Sequence, residues 1–139
     1  MRFASLVLLL SPLLATPLAP SGDGGATATG PTATLDCPRA AGPGRVRCEV
    51  EARPPAGAVI KWADVEVVTT PPFASPLRAR VGPSEASIRE EAGWHWTLAL
   101  AARGRGTGEI AVRVRVVSCV RDVCTPSEVP ASAALAVGE

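Results

Sequence analysis

Apolar and polar residues alternate along several short stretches of this chain, and this two-residue period constrains the fold more than any other feature. The clearest case runs from Arg45 to Arg53, where charged side chains alternate with apolar ones. The apolar face of that stretch consists of Val46, Cys48, Val50 and Ala52. Such alternation is typical of a β-strand with one face against a core and the other in water.

The same pattern recurs towards the end of the chain, with Gly and Pro between the runs. Val59 to Thr69 is predicted to form one strand or two short ones around Trp62. Further strands are predicted over Leu77 to Val81, Trp94 to Leu100, Ile110 to Val116 and Ala133 to Val137. Thr70 to Pro76 is predicted to be a rigid surface loop, because proline lacks the donor that a central strand needs. The polar stretch Gly82 to Gly93 is predicted to be a connection or an edge strand, and Arg103 to Gly108 a glycine-rich hairpin loop.

These runs together predict the fold class. About seven short strands, with turn signals every 8–12 residues, describe an antiparallel β-sandwich. The chain has 139 residues, which is enough for one such domain. The sequence therefore predicts an all-β protein with an immunoglobulin-like sandwich.

The first 20 residues have the composition of a secretory signal peptide. Arg2 supplies positive charge, and Phe3 to Ala15 form an apolar run that is too short to span a bilayer. Residues 21–34 are rich in Gly, Ala, Thr and Pro and are predicted to be a flexible linker, so the folded domain is expected over residues 35–139. The signal predicts export to the periplasm or the extracellular space, and no membrane span is expected after its removal. Disulfide bonds form in such compartments.

Charge and residue content argue against several other functional classes. Lys and Arg total 14 and Asp and Glu total 13, and no basic cluster contains interleaved aromatic residues, so nucleic acid is not an expected partner. The Cys-x10-Cys and Cys-x4-Cys spacings are not those of zinc sites, and neither a metal nor another cofactor is predicted. The only histidine, His95, alternates with two tryptophans and is expected on the outer, solvated face of its strand.

Four cysteines allow three disulfide pairings. The local solution joins Cys37 to Cys48 across a Gly-Pro-Gly turn, and Cys119 to Cys124 across a tight reversal. The alternative joins Cys48 to Cys119 beside Trp62, as in the inter-sheet disulfide of immunoglobulin domains. Against it, the chain has no tyrosine for the corner that accompanies that bond, and Cys37 would have to reach Cys124 from the opposite end of the domain. The local pairing is our prediction, and the alternative stays open at this point.

Cys119 and Cys124 form the pair that most invites a chemical role. Facing residues in antiparallel strands lie about 4.5–5.5 Å apart, within reach of a disulfide. The loop that such a bond closes is very small, so the bond adds little to stability through chain entropy. Thiol–disulfide exchange requires a thiolate, an accessible sulfur and a second thiol that resolves the mixed disulfide, and two cysteines in an exposed turn satisfy the last two requirements. The alternative is a structural bond that only staples the hairpin.

The segment Cys119-Val120-Arg121-Asp122-Val123-Cys124-Thr125-Pro126 follows a Val-rich strand and precedes one last strand. It resembles the N-terminal periplasmic domain of the thiol:disulfide interchange protein DsbD family, in which a Cys-x4-Cys or Cys-x5-Cys pair is followed by x-Pro. The resemblance implies an immunoglobulin-like sandwich that accepts electrons from one thioredoxin-like partner and passes them to another. It also implies that Cys124 forms the mixed disulfides, that Cys119 resolves them, and that Phe73 covers the pair from a loop.

The chain also departs from this family pattern. It contains no transmembrane segments and no Cys-x-x-Cys thioredoxin module, so thioredoxin-like or other redox proteins would have to act in trans. Cys37 and Cys48 have no counterpart in the pattern and are predicted to form a structural disulfide. The leading hypothesis is an exported thiol–disulfide exchange domain, whose standing as an enzyme stays open. The alternative is a non-enzymatic exported immunoglobulin-like domain with two structural disulfides, which binds a partner through its loops.

Overall fold

The computed structural model describes residues 30–138, so the predicted signal peptide and most of the predicted linker lie outside the described residues. Within that range the chain forms nine β-strands and one 3₁₀ turn, Pro83–Glu85. The strands are β1 (Thr32–Asp36), β2 (Gly44–Arg53), β3 (Val59–Thr69), β4 (Ala74–Pro76), β5 (Arg80–Val81), β6 (Ile88–Glu90), β7 (Gly93–Ala102), β8 (Gly106–Val120) and β9 (Val123–Val137). None of these residues belongs to a helix that could cross a membrane.

The strands form two antiparallel sheets. Sheet 1 has the order β1-β2-β7-β4, and β6 pairs with the same edge of β7 as β4 does. Sheet 2 has the order β5-β3-β8-β9. If β1, β2, β3, β6, β7, β8 and β9 are lettered A to G, the sheets read A-B-E-D and C-F-G, which is the strand order of an immunoglobulin sandwich. The predicted all-β, immunoglobulin-like class is confirmed.

The core lies between the inner faces of the two sheets, where the period-2 pattern places its apolar residues. The inner face of β7 consists of Trp94, Trp96, Leu98 and Leu100, and that of β8 includes Ile110, Val112, Val114 and Val116, all of them buried. The Nε1–H group of Trp96 also donates a hydrogen bond to the carbonyl of Gly82 at 2.9 Å, which ties the 3₁₀ turn to sheet 1. The predicted inner faces of both strands are therefore correct.

Short edge strands explain why the described residues contain more strands than the pattern predicts. β1 begins at Thr32, inside the predicted linker, and pairs with β2 along its whole length. β4 lies at the end of the predicted loop Thr70 to Pro76 and pairs with β7 at the edge of sheet 1, where a proline is tolerated. Of the predicted strand Leu77 to Val81, only Arg80–Val81 forms a strand, although the Leu77 N–H group donates to Ala99 on β7 and the Ala79 carbonyl accepts from Val67 on β3.

The glycine-rich segment Arg103 to Gly108 is not a hairpin loop, because it joins β7 in sheet 1 to β8 in sheet 2. It crosses the end of the sandwich against the segment before β4. A Cβ atom on Gly108 would lie 2.6 Å from the Cβ atom of Pro71, closer than two carbon atoms can pack. Gly108 therefore permits close packing of two segments. The sequence pattern instead predicts that these glycines form a turn between paired strands.

The last strand, β9, begins at Val123 and is far longer than the sequence predicts. The N–H group of Ala40 donates to the carbonyl of Ala136 at 2.9 Å, so the backbone groups of Ala136 point away from β8. These directions alternate along a strand, so the backbone of Pro126 and Pro130 also faces the free edge. Neither proline costs a hydrogen bond to β8, and both protect the edge from pairing with another chain.

Candidate functional site

The β8–β9 hairpin brings Cys119 and Cys124 together near its tip. Val120 faces Val123 across a two-residue turn, and the next pair inward is Cys119 with Cys124. Their Cα atoms are 4.0 Å apart, and their sulfurs form a disulfide. Close Cα spacing is typical of the pairs in an antiparallel ladder that exchange no backbone hydrogen bonds, where side chains approach most closely. The register of the hairpin therefore places the two cysteines for bonding.

The two sulfurs of this pair differ in exposure. Cys119 is 2% exposed, whereas Cys124 is exposed. Both side chains lie on the outer face of sheet 2, since Cys119 is out of phase with the core residues Val116 and Val114 of the same strand. β3 flanks Cys119 on one side and Cys124 flanks it on the other. Cys124 is therefore the accessible residue of the pair, and Cys119 is the shielded one.

The second disulfide, Cys37–Cys48, has a different position. It extends the β1–β2 pairing by one step, with the two Cα atoms 4.3 Å apart. Cys48 has no exposed surface and belongs to the core. The local pairing is thus confirmed, and the Cys48–Cys119 alternative is wrong. The alternative fails because Cys48 faces the core while Cys119 points to the outer face of sheet 2.

The turn at the hairpin tip has an unusual backbone conformation. Arg121 has φ = 56°, and it is the one residue other than glycine with a positive φ in residues 30–138. A positive φ at the first turn position suits the twist of a two-residue hairpin but is strained for a side chain with a Cβ atom. The flanking Val120 and Val123 are 49% and 71% exposed. The tip therefore combines backbone strain, apolar surface and an accessible disulfide.

A charged cluster that the sequence pattern did not reveal lies on the same outer face. Asp64 on β3 is 2% exposed, and it accepts two hydrogen bonds from Arg115 on β8, one of them 2.8 Å long between Nε and Oδ1. Arg80 approaches the same carboxylate at 3.8 Å. Hydrogen bonding to Asp64 raises the pKa of Arg115 above its ordinary value. The only sequence signal for this pair is that both residues occupy outward positions of predicted strands.

Arg115 also contacts an aromatic side chain. Its guanidinium carbon lies 5.3 Å from the ring centroid of Trp62, a cation–π distance. Trp62 faces Val117 on β8 and is 37% exposed. The immunoglobulin alternative expects a buried tryptophan beside a disulfide, but Trp62 lies on the outside of the sandwich, because a β-bulge between Ile60 and Trp62 changes the phase of β3.

Phe73 does not cover the cysteine pair, which corrects the expectation from the family resemblance. A Cβ atom on Gly106 would lie 3.1 Å from the Phe73 ring, and the carbonyl of Phe73 accepts a hydrogen bond from the N–H group of Arg103. Phe73 thus packs at the start of β8, whereas Cys119 lies 13 residues further along, roughly 40 Å at the rise of an extended strand. The loop that carries Phe73 is at the opposite end of the sandwich.

His95, the only histidine of the sequence, lies on sheet 1 and takes no part in this site. It faces Glu51 across the β2–β7 ladder, with His95 Nε2 3.6 Å from Glu51 Oε2. Within residues 30–138, no group of three or more His, Cys, Asp or Glu side chains is arranged to hold a metal ion.

Comparisons with known proteins give structural similarity without a sequence match. No protein-family model and no curated protein matches the chain. Among solved structures, the chain is similar to BslA, described as a bacterial hydrophobin. The two share 12% sequence identity over 79% of this chain and 96% of that one, with a TM-score of 0.41.

Proposed function

We propose that this protein is an exported thiol–disulfide exchange domain, in which Cys119 and Cys124 form the redox couple. The observation that carries the proposal is the difference in exposure within one disulfide, with Cys124 open to solvent and Cys119 2% exposed. Exchange proceeds by thiolate attack on one sulfur and departure of the other. Because one cysteine is accessible and the other is shielded, an incoming thiolate should attack Cys124 and release Cys119. The likeness of the Cys-x4-Cys segment to the DsbD family supports the same assignment.

The proposed reaction balances in two steps. A thiolate of a reduced thioredoxin-like partner attacks Cys124 Sγ, the Cys119–Cys124 bond breaks, and Cys119 leaves as a thiolate that takes up a proton. The second thiol of the partner, as its thiolate, then attacks the partner sulfur in the mixed disulfide and releases Cys124. The partner is oxidised to a disulfide, and this domain gains two electrons and two protons. The reverse sequence passes the electrons to a second, oxidised partner.

The proposal places the protein in the periplasm or outside the cell, with its partners acting in trans. Two disulfides in one small domain fit an oxidising compartment. Cys37–Cys48 takes a structural role in this proposal, because Cys48 is in the core and Cys37 is partly buried against it, so neither cysteine is as exposed as Cys124. No cofactor is required, since the electrons travel in the cysteine sulfurs.

The second candidate is a non-enzymatic exported immunoglobulin-like module with two structural disulfides. It is favoured by the observation that both disulfides join neighbouring strands of a sandwich, as structural staples do. Reduction potential separates the two candidates. Titration of the oxidised protein against thiol buffers, with alkylation and mass mapping, should give Cys119–Cys124 a potential above about −300 mV. A lower value is that of a structural disulfide and would refute the exchange proposal.

Partner trapping provides an independent test of the same proposal. A Cys119→Ala variant keeps the Cys124 thiol, whose thiolate can attack the disulfide of an oxidised partner and release one partner thiolate, but it lacks the resolving thiol, so mixed disulfides on Cys124 should accumulate in the exported fraction. The matched control is Cys124→Ala, in which the remaining thiol is shielded and adducts should be scarce. Absence of adducts from both variants would count against exchange. Equal amounts of adduct from the two variants would contradict the assignment of Cys124 as the attacked sulfur and Cys119 as the resolving one.

A further inference from the structure

An apolar surface lies next to the disulfide on the outer face of sheet 2. Trp62, Val117 and Pro126 line up across three adjacent strands, and we call them the Trp62 strip. Val117 and Pro126 are each two residues from a cysteine of the pair and on the same face, about 7 Å along the strands. A shallow pocket of about 310 Å³ opens here, bordered by the strip and by Arg115 and Glu128. The strip is therefore continuous with the accessible sulfur.

The indole of Trp62 is held in place although it is 37% exposed. Arg115 stacks against the ring at 5.3 Å, and the buried carboxylate of Asp64 fixes the guanidinium group through two hydrogen bonds. An aromatic side chain that is already ordered loses little conformational entropy when a partner covers it. Its rigidity and exposure together are typical of a residue that anchors a protein interface.

Two members of the strip are exposed. Trp62 is one of the exposed large apolar side chains within residues 30–138, and Pro126 on the same face is exposed as well. Val120 and Val123 at the tip are also exposed, but side-chain directions alternate along a strand, so these two valines point to the opposite face of the hairpin from Cys119 and Cys124. The apolar surface that shares a face with the disulfide is therefore the strip.

We infer that the Trp62 strip is the docking surface for the thioredoxin-like partner that attacks Cys124. The inference rests on the proposed function and adds where the partner binds. Weak redox complexes bury up to about 600 Å² on each protein, which corresponds to a disc of about 14 Å radius. A partner centred on the Cys124 sulfur therefore covers the strip. The partner it fits is a protein dithiol whose reactive cysteine is surrounded by apolar surface, because the three residues of the strip beside the disulfide, Trp62, Val117 and Pro126, are all apolar.

The test compares two reductants on the oxidised, full-length mature protein. Reduced thioredoxin has a docking surface, and dithiothreitol does not. Formation of free Cys119 and Cys124 thiols is followed by acid quench, alkylation and mass analysis. Trp62→Ala should slow reduction by thioredoxin at least tenfold and leave the dithiothreitol rate within twofold of the wild-type rate. Val68→Ala is the matched control, because Val68 lies on the same strand and is 52% exposed but is far from the cysteines, and neither of its rates should change.

The other possible rates distinguish failure of the docking inference from failure of the proposed function. Equal thioredoxin rates for Trp62→Ala and wild type would overturn the docking inference. Equal slowing with both reductants would also overturn it, because Trp62 would then act on the bond itself. If Trp62→Ala disturbs the fold, Val117→Lys, which places a charge in the strip, serves as the second variant. It should also slow reduction by thioredoxin and leave the dithiothreitol rate unchanged. If thioredoxin cannot reduce the wild-type protein while dithiothreitol can, the proposed function fails, whatever the variants do.

Discussion

The difference in exposure between the two sulfurs predicts a difference in reactivity that can be measured on single-cysteine variants. Cys119→Ala leaves the exposed thiol of Cys124, and Cys124→Ala leaves the shielded thiol of Cys119, while Cys37–Cys48 stays bridged in both. To expose Cys119, the end of the hairpin must open and the Val120–Val123 pair must separate.

The cost of that opening sets the size of the effect. A hydrogen-bonded pair in an antiparallel ladder exchanges two backbone hydrogen bonds. Each contributes about 1 kcal/mol net, so opening costs about 2 kcal/mol. At 1.36 kcal/mol for each factor of ten, Cys119 should react about 30-fold more slowly than Cys124.

The assay is the rate of modification by a bulky polymer-linked maleimide, followed by the mass shift of the protein. Both variants should react at similar rates in guanidinium chloride, which controls for the chemistry of the reagent. Native rates within threefold of each other would refute the reasoning, because the hairpin would then offer no distinction between an attacked sulfur and a resolving one. Faster reaction of Cys119 would reverse the roles that we assign.

Three further predictions concern stability. Trp96→Phe should lower the free energy of unfolding by about 2–4 kcal/mol in urea denaturation, because it leaves the Gly82 carbonyl without its donor and opens a cavity; a loss below 1 kcal/mol would contradict the packing described. Arg121→Gly should raise stability by up to about 1 kcal/mol through relief of the positive φ, whereas Asp122→Gly, at a turn position without that strain, should not. A hydrogen bond from the Gly82 N–H group, and a second from the Ser84 hydroxyl, lower the pKa of Glu85 below 4.5. The stabilising effect of the Glu85 carboxylate is therefore complete above that pH and is lost as the pH falls through the lowered pKa. In Glu85→Gln, the free energy of unfolding should depend less steeply on pH in this acidic range. If the two proteins gave parallel curves of unfolding free energy against pH, this prediction would be wrong.

Much of the sandwich could be predicted because its central strands are buried on one face only. The inner faces of β2, β7 and β8 follow directly from period-2 alternation, and β3 has the bounds that the sequence predicts. The Cys119–Cys124 bond was predictable for a related reason. A tight turn fixes hairpin register, and register alone places these two residues opposite each other.

The features that the sequence did not reveal depend on which strand lies beside which. Pro126 and Pro130 argue against a strand unless it is known that β9 is an edge and that both prolines face its free side. The placement of Phe73 depends on how the loop between β3 and β4 folds across the end of the sandwich. The burial of Asp64 requires Arg115 from β8 to lie directly opposite it, a contact between residues 51 positions apart. Local patterns contain no information about these neighbours.

The position of the Cys119–Cys124 pair within the ladder also determines what reduction should do to the fold. β8 and β9 pair continuously from Gly106 with Val137 to Val120 with Val123, so backbone hydrogen bonds hold the hairpin whether or not the sulfurs are joined. Loss of the bond releases a loop of only four residues between Cys119 and Cys124, and the loop-entropy contribution of such a small ring is at the low end for disulfides, about 2 kcal/mol. We therefore expect the bond to open and close without a change of architecture, which an exchange domain requires. A disulfide that joined the two sheets through the core could not be reduced in this way, because its sulfurs would be reached only after the sandwich had opened.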